Sequence, residues 1–202
     1  MESDDSHRLS EPLEIVLKEV ARCFESRDVR YALIGGVAVG IQSQIRATED
    51  IDFIVDIPQV ALPRVLEDLQ SLGFEIDVPK VIRRWIQEHM LVLSCRGIRM
   101  DWIKPLISLY KHVIDTAAVT TGELGTIRIA TAEGLILTKL VAWRTQDQAD
   151  IERLLASHRG QLDLDSIRRE WLTVGEDDDP KIQRFEEMVR LFYQPRSNSG
   201  DI

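Results

Sequence analysis

Two neighbouring apolar runs limit the fold more than any other feature of the sequence. The run at 30–34 ends in two glycines, and the run at 51–55 begins beside two aspartates at alternate positions, which are Gly35, Gly36, Asp50 and Asp52. Each run predicts a short strand, and the small and apolar residues at 37–44 predict a packed helix between them. Because side chains alternate along a strand, we expect both aspartates on one face.

These residue types suit the binding of a phosphate and a divalent cation. Glycine lets the backbone come close to a phosphate, and the N-terminus of the helix that follows presents free N–H groups to it. Two carboxylates side by side repel each other, and each raises the pKa of the other unless a cation lies between them. Oxygen ligands of this kind suit Mg²⁺, which also binds substrate phosphates. The strand–helix–strand unit is therefore the first candidate site.

The rest of the sequence mixes strand and helix patterns up to about residue 130 and is helical beyond it. Helical spacing predicts further helices at 13–24, 60–72, 80–89, 131–144, 147–157, 162–172 and 180–193. Further strands are predicted at 74–78, 90–96, 98–103 and 126–130, with a hairpin turn at Arg96-Gly97. This order predicts an α/β (α+β) fold in which a mixed β-sheet is flanked by helices and followed by a helical C-terminal portion.

The same pattern divides the chain into four predicted parts. They are an acidic N-terminal segment with a helix that packs on the core (1–27), the α/β core (28–130), the helical C-terminal portion (131–195) and a frayed tail (196–202).

Composition narrows the class of protein. The 202 residues carry 34 acidic and 25 basic side chains, and 44% are hydrophobic, which is enough for a buried core. The acidic total argues against a general nucleic-acid coat protein. The segment 79–111 has seven basic and two acidic residues, and we interpret it as solvated surface rather than a cationic wall over an anionic substrate.

Cysteine usage and hydropathy predict the compartment. Cys23 and Cys95 form no disulfide framework, which favours a reducing environment. The acidic start lacks the pattern of a signal peptide, and the longest apolar run is too short to span a bilayer. These features predict a cytoplasmic protein without a membrane partner.

The glycine pair and the aspartates also resemble a known signature. Gly35-Gly36, followed after thirteen residues by Asp50-Ile51-Asp52-Phe53, resembles the signature of the polymerase-β-like nucleotidyltransferase superfamily. The form with Arg46 and Thr48 before Asp50 is similar to the abortive-infection (type IV toxin) nucleotidyltransferases and their small uncharacterised relatives. A later stretch resembles the Lys-x4-Arg and Asp-x-x-Asp motifs of that group, at Lys139, Arg144, Asp147 and Asp150.

The resemblance implies a role for each matching residue. It implies that Asp50 and Asp52 are catalytic and hold two Mg²⁺ or Mn²⁺ ions, and that Asp101 is a third catalytic and metal-binding acid on a later strand. It also implies a set of residues that bind the nucleoside triphosphate: Gly35, Gly36, Arg46, Thr48, Lys139 and Arg144. Asp147 and Asp150 are further candidates.

The activity implied by the resemblance is transfer of a nucleoside monophosphate from a nucleoside triphosphate to a hydroxyl group. The acceptor would be RNA or a tRNA end, a protein or a small molecule, and the protein would be the toxin of a toxin–antitoxin system with an antitoxin as partner. The alternative is a catalytically silent protein of this fold that acts as a binding or toxin–antitoxin partner module. Gly36 leaves room for that alternative, because many transferases have a serine hydroxyl at its position.

Several candidate residues also have a local structural explanation. Asp101 would be an edge-strand acid paired with Arg99 or Lys104. Lys139 and Arg144 would form an exposed basic face of a helix, and the two aspartates that follow them would cap the next helix and stabilise its first turn.

Overall fold

The computed structural model describes residues 9–43, 48–122 and 124–193. Their helices and strands follow in chain order: α1 (Glu11–Ser26), β1 (Arg30–Ile34), α2 (Gly35–Gln42), β2 (Asp50–Asp56), α3 (Leu62–Ser71), α4 (Val78–Gln87), β3 (Met90–Cys95), β4 (Ile98–Ile103), α5 (Ser108–Asp115), β5 (Ala118–Gly122), β6 (Gly125–Ile129), α6 (Ala132–Ala142), α7 (Thr145–Ser157), α8 (Leu164–Trp171) and α9 (Pro180–Met188), which continues into a π-helical turn at Val189–Tyr193.

The strands form one mixed sheet in the order β3-β4-β2-β1-β6-β5. The two parallel pairs are β2 with β4 and β1 with β6, and the other neighbours are antiparallel. The predicted fold class is thus confirmed: a mixed sheet is flanked by helices, and helices α6 to α9 follow it.

An aromatic cluster holds α1 against one face of the sheet. The ring centroid of Phe24 on α1 lies 4.9 Å from that of Tyr31, 5.4 Å from that of Phe53 and 5.1 Å from that of Trp102. All four side chains are fully buried, so these edge and tilted contacts add to the hydrophobic gain. Because Phe53 points to this face, its neighbour Asp52 points to the opposite one.

The first two strands are as predicted, and α2 begins earlier than expected. The strand at 30–34 is β1, and β2 extends the predicted strand by one residue at each end. Helix α2 begins directly at Gly35, so both glycines lie in its first turn. The predicted hairpin of β3 and β4 turns at Arg96-Gly97.

The predicted strand at 74–78 is wrong. No strand forms there in the described chain, and α4 begins at Val78 instead. Asp77 caps this helix by accepting a hydrogen bond from the backbone N–H of Lys80 at 3.0 Å, and Pro79 stands in the first turn. A cap followed by a proline is a helix start, and here it overrides a short apolar alternation.

Two elements were missed in the sequence. Helix α5 has only a short buried stripe, formed by Leu109, Val113 and Ile114. Strand β5 is exposed at every residue, so it has no alternation of buried and exposed side chains by which to predict it.

The predicted division of the chain into four parts stays a prediction. Helix α6 packs against α2 and α5 as well as against α7 and α8. The acidic start at 1–8 and the tail at 196–202 lie outside the described residues.

In the part of the chain that is described, no helix combines the length and the apolar character needed to cross a bilayer.

Candidate active site

A cleft of about 610 Å³ opens where β1 ends and β2 begins, between these strands, β4 and the helices α2 and α6. Nine predicted site residues line it: Gly35, Gly36, Thr48, Asp50, Asp52, Asp101, Lys139, Arg144 and Asp147. Asp150 is buried behind this lining. Arg46 lies outside the described residues.

Gly35 and Asp52 are in direct contact across the β1–β2 pair. Ile34 pairs with Asp52 in the antiparallel register, so the first residue of α2 lies beside the carboxylate. A Cβ added to Gly35 would lie 1.9 Å from Oδ2 of Asp52 and 2.8 Å from its Cβ, and φ at Gly35 is +69°. Both the space and the left-handed backbone conformation therefore require glycine here.

The three predicted acids lie on two neighbouring parallel strands. Register places Asp101 on β4 opposite Asp52 on β2, and Arg99 opposite Asp50. Neighbouring strands are about 4.8 Å apart. Burial raises the pKa of Asp52 to about 6, and the negative charges of Asp101 and Asp50 add to this increase, while Lys139 and Arg144 oppose it. The cleft thus concentrates negative charge around one partly buried carboxylate.

Arg99 forms a bidentate hydrogen-bonded pair with Asp101, the third predicted acid. Its Nε donates to Oδ1 of Asp101 at 2.9 Å, and its Nη2 donates to Oδ2 at 2.8 Å, so both carboxylate oxygens are engaged. The hydrogen bond to Asp101 raises the pKa of the Arg99 guanidinium. The pairing with Arg99 was one of the two predicted alternatives, but β4 is an inner strand and not an edge. The other predicted partner, Lys104, instead lies 5.6 Å from the ring centroid of Trp85.

The acids have the ligand chemistry that a divalent cation needs, but they are not arranged as a finished site. Among residues 9–43, 48–122 and 124–193, no three His, Cys, Asp or Glu side chains converge in a group that could hold a metal ion. Asp52 nevertheless lies between two like charges that raise its pKa, and a cation would relieve this repulsion. Asp50 and Asp52 offer hard oxygen ligands on one face, and Asp101 could join them on leaving Arg99.

Lys139 is buried, contrary to the alternative of an exposed basic helix face. Only 5% of the residue is exposed, and its Nζ lies 3.0 Å from Oδ1 of Asp147 and 2.9 Å from Oδ2 of Asp150. Lys139 also lines the cleft, together with Asp147. Its charge is therefore already balanced by carboxylates of α7, which links α6 to α7.

The two aspartates after Arg144 have structural roles that differ in part from those expected. Because α7 begins at Thr145, Asp147 stands in the first turn, and its Oδ2 accepts the backbone N–H of Arg144 at 2.9 Å. Burial alone would raise the pKa of Asp147, but hydrogen bonds from Arg144 and Lys139 outweigh it and lower the pKa. Asp150 lies in the second turn, not the first, and also contacts Arg153.

Arg144 is the most exposed of the three cations that line the described cleft. It is the N-cap of α7 and directly follows Trp143, the C-cap of α6. Its side chain is 76% exposed, and its Nε donates to Oδ2 of Asp147 at 2.8 Å, which orients the guanidinium beside the acids. The exposure agrees with the alternative of an exposed basic side chain, and Nη2 also donates to Oδ1 of Asp147 at 3.4 Å.

Several lining residues were not identified in the sequence: Glu49, Arg99, Tyr110, Thr138 and Gln146. Arg99 had a detectable signal, because residues two apart on a strand share a face and Asp101 was already a candidate. Tyr110 had none, since it lies on α5, which was not predicted.

The basic segment 79–111 does not form a cationic wall. Of its seven basic residues, Arg99 is the one among the described lining residues of the cleft. Arg84 pairs with Glu88 at 2.9 Å and Arg96 pairs with Glu19 at 2.9 Å, both on the surface. These pairs agree with the interpretation as solvated surface.

Comparison with known proteins identifies the fold. No protein-family model matches the sequence, and no curated protein matches it. A lincosamide antibiotic adenylyltransferase with bound lincomycin is similar in structure, with a TM-score of 0.49 and 20% identity, over 72% of this chain and 96% of that one. An antigenic nucleotidyltransferase-like protein from Paracoccidioides brasiliensis matches with a TM-score of 0.53 and 16% identity, over 90% of this chain and 89% of that one. The latter match shows that the mixed sheet and its helices form a nucleotidyltransferase-type fold, as the sequence resemblance implies.

Proposed function

We propose that the protein is a metal-dependent nucleotidyltransferase that transfers a nucleoside monophosphate from a nucleoside triphosphate to a hydroxyl acceptor. The observation that carries this proposal is the contact of Gly35 with Asp52, with Asp101 in register beside it. It brings the start of a helix and a set of carboxylates to one cleft within a nucleotidyltransferase-type fold.

The phosphate side of the cleft is supplied by α2 and by Arg144. The N-cap of α2 is Ile34, whose side chain has no acceptor, so the first N–H groups of the helix are available to phosphate oxygens. Arg144 offers a planar, permanently charged donor on the other side of the acids. We assign the triphosphate to the space between Gly35, Gly36 and Arg144, with Thr48 at its edge. Lys139 would act mainly by holding α7 and Arg144 in place.

The acids supply the remaining chemistry. Asp50 and Asp52 would hold one or two Mg²⁺ or Mn²⁺ ions, which when bound lower the pKa of the acceptor hydroxyl and neutralise charge on pyrophosphate. The acceptor oxygen forms a bond to the α-phosphorus, and the bond from that phosphorus to the bridging oxygen of pyrophosphate breaks. We assign to Asp101 the role of general base, which accepts the proton of the acceptor hydroxyl.

The charged residues that line the cleft indicate which class of acceptor fits it. Five carboxylate residues and three cationic residues line the described cleft: Glu49, Asp50, Asp52, Asp101 and Asp147 against Arg99, Lys139 and Arg144. Each of the three cations is paired with a carboxylate. A neutral or cationic hydroxyl acceptor, on a small molecule or a protein, fits this lining better than a polyanionic RNA.

Labelled transfer tests the proposal. The protein is incubated with each of the four α-³²P nucleoside triphosphates, Mg²⁺ or Mn²⁺, and separate pools of tRNA, cell protein and hydroxylated small molecules. We expect transfer to one pool and a loss of at least about 100-fold with Asp52→Asn, since the neutral amide is a poor ligand for a hard cation.

Asp56→Asn is the matched control for this experiment. Asp56 lies on the same strand face but pairs with Arg30 at 3.0 Å outside the cleft, so its variant is expected to keep full activity. Transfer that survives Asp52→Asn would refute the assignment. Nucleotide binding without transfer to any pool would favour the silent partner module instead.

The proposed toxin role has its own test. Induced expression of the wild-type chain should slow the growth of a bacterial host, and expression of the Asp52→Asn variant at the same level should not. Equal growth of the two cultures would argue against a toxin that acts through this site.

A further inference from the structure

Arg99 binds Asp101, the acid that would complete the cation site. Its guanidinium engages both oxygens of Asp101 and lies opposite Asp50 in the strand register. The side chain of Arg99 is 53% exposed, whereas that of Asp101 is 18% exposed. The arginine therefore covers the carboxylate from the solvent side of the cleft.

The pair also accounts for the absence of a finished cation site among the described residues. A carboxylate that accepts two N–H groups of one guanidinium has one acceptor site on each oxygen occupied, so it cannot offer both of these sites to a cation. A divalent cation at Asp50 and Asp52 would gain the third ligand only if Arg99 moved away. The positive charge of Arg99 would also repel that cation while it stays in place.

We propose that Arg99 is a gate residue, which blocks Asp101 to divalent cations until a nucleoside triphosphate draws the guanidinium away. This inference rests on the proposed function and deepens it, because it makes binding of the cation and of the nucleotide mutually dependent. Arg99 and Arg144 both line the cleft, so a polyphosphate between them offers Arg99 a second anionic partner.

The exposure of Arg99 makes such a movement feasible. An ion pair with one half-exposed partner is held less firmly than a fully buried one, because water competes for the exposed guanidinium. The paired acids of α7 provide a contrast, since Asp147 is buried and its contact with Lys139 is buried too. The pair of Arg99 with Asp101 thus has an exposed cation that can move, whereas the pair of Lys139 with Asp147 is buried on both sides.

The test is direct binding of Mn²⁺ to the full chain, measured by electron paramagnetic resonance of the free ion, with and without a non-hydrolysable ATP analogue. In the wild type we expect weak Mn²⁺ binding alone and a clear increase in affinity with the analogue. Arg99→Gln should bind Mn²⁺ alone about fivefold more tightly, the upper range for an exposed ion pair, and the effect of the analogue should shrink.

Arg84→Gln serves as the matched control, because Arg84 pairs with Glu88 on the surface and lies outside the cleft. It should behave as the wild type. Suppose that Arg99→Gln binds Mn²⁺ no more tightly than the wild type, while Asp52→Asn still abolishes binding. This result would refute the role of Arg99 as a gate residue and would leave the proposed function unaffected. If the wild type binds no Mn²⁺ with or without the analogue, both fail.

Discussion

Replacing Gly35 by alanine tests the contact on which the site is built. At a φ of +69°, a residue with a Cβ costs about 1–2 kcal/mol relative to glycine. The added Cβ would also lie 2.8 Å from the Cβ of Asp52, so the aspartate cannot relieve the clash by rotation of its carboxylate alone. Forcing an extra carbon into a packed position costs about 1–3 kcal/mol more. We therefore expect Gly35→Ala to lower the free energy of unfolding by about 2–5 kcal/mol.

Gly160→Ala is the control for backbone strain alone. Its φ is +72°, and a Cβ there would meet no atom within 4 Å, so its cost should be limited to about 1–2 kcal/mol. Urea unfolding of both variants and the wild type gives the two differences. Nucleotide transfer, measured on the folded protein, should fall with Gly35→Ala and not with Gly160→Ala. Equal losses of stability, with transfer unchanged, would show that Asp52 does not lie against Gly35.

Three further predictions concern buried groups and one exposed partner, Arg144. Burial, followed by the charge of Asp68, raises the pKa of Cys23 to about 11, so this thiol should react with Ellman's reagent at pH 8 only after unfolding. Lys139→Met should cost about 3–5 kcal/mol in unfolding free energy because it removes the buried cation that Asp147 and Asp150 share, whereas Arg144→Gln should mainly weaken nucleotide binding in calorimetry. The pKa of Asp147 is lower in the folded protein than in the unfolded chain. Its ionised form therefore stabilises the fold above the usual carboxyl pKa, and this stabilisation is lost as the pH falls through the lowered pKa. The difference in unfolding free energy between the wild type and Asp147→Asn should accordingly shrink on acidification.

The sequence predicted the part of the fold that carries the acids because its pattern is strong. Strand β1 is an apolar run ended by glycines, and β2 alternates aspartates with fully buried side chains. Both signals come from local geometry, so neighbours in the chain were enough to predict them. The family resemblance implied a third acid on a later strand, but the pairing of Asp52 with Asp101 depends on the sheet order, which periodicity alone does not predict.

Other parts of the site depend on tertiary contacts that local patterns do not contain. Lys139 was predicted to bind the triphosphate, with an exposed basic helix face as the alternative, and its burial was not predicted. Helix α6 is apolar on nearly all sides, which is typical of a helix buried all round. Tyr110 reaches the cleft from a helix with a weak pattern. The bidentate contact of Arg99 with Asp101 is a rotamer choice, and the sequence offered it only as an alternative.

The dependence of nucleotide binding on a divalent cation tests the central claim most directly. In titration calorimetry, ATP or the preferred triphosphate should bind to the wild-type chain with Mg²⁺ or Mn²⁺ and bind much more weakly in excess EDTA. Asp50→Asn and Asp52→Asn should both lose the cation-dependent part, while Asp56→Asn keeps it. Binding of equal strength in EDTA, or binding unchanged by Asp52→Asn, would contradict the account.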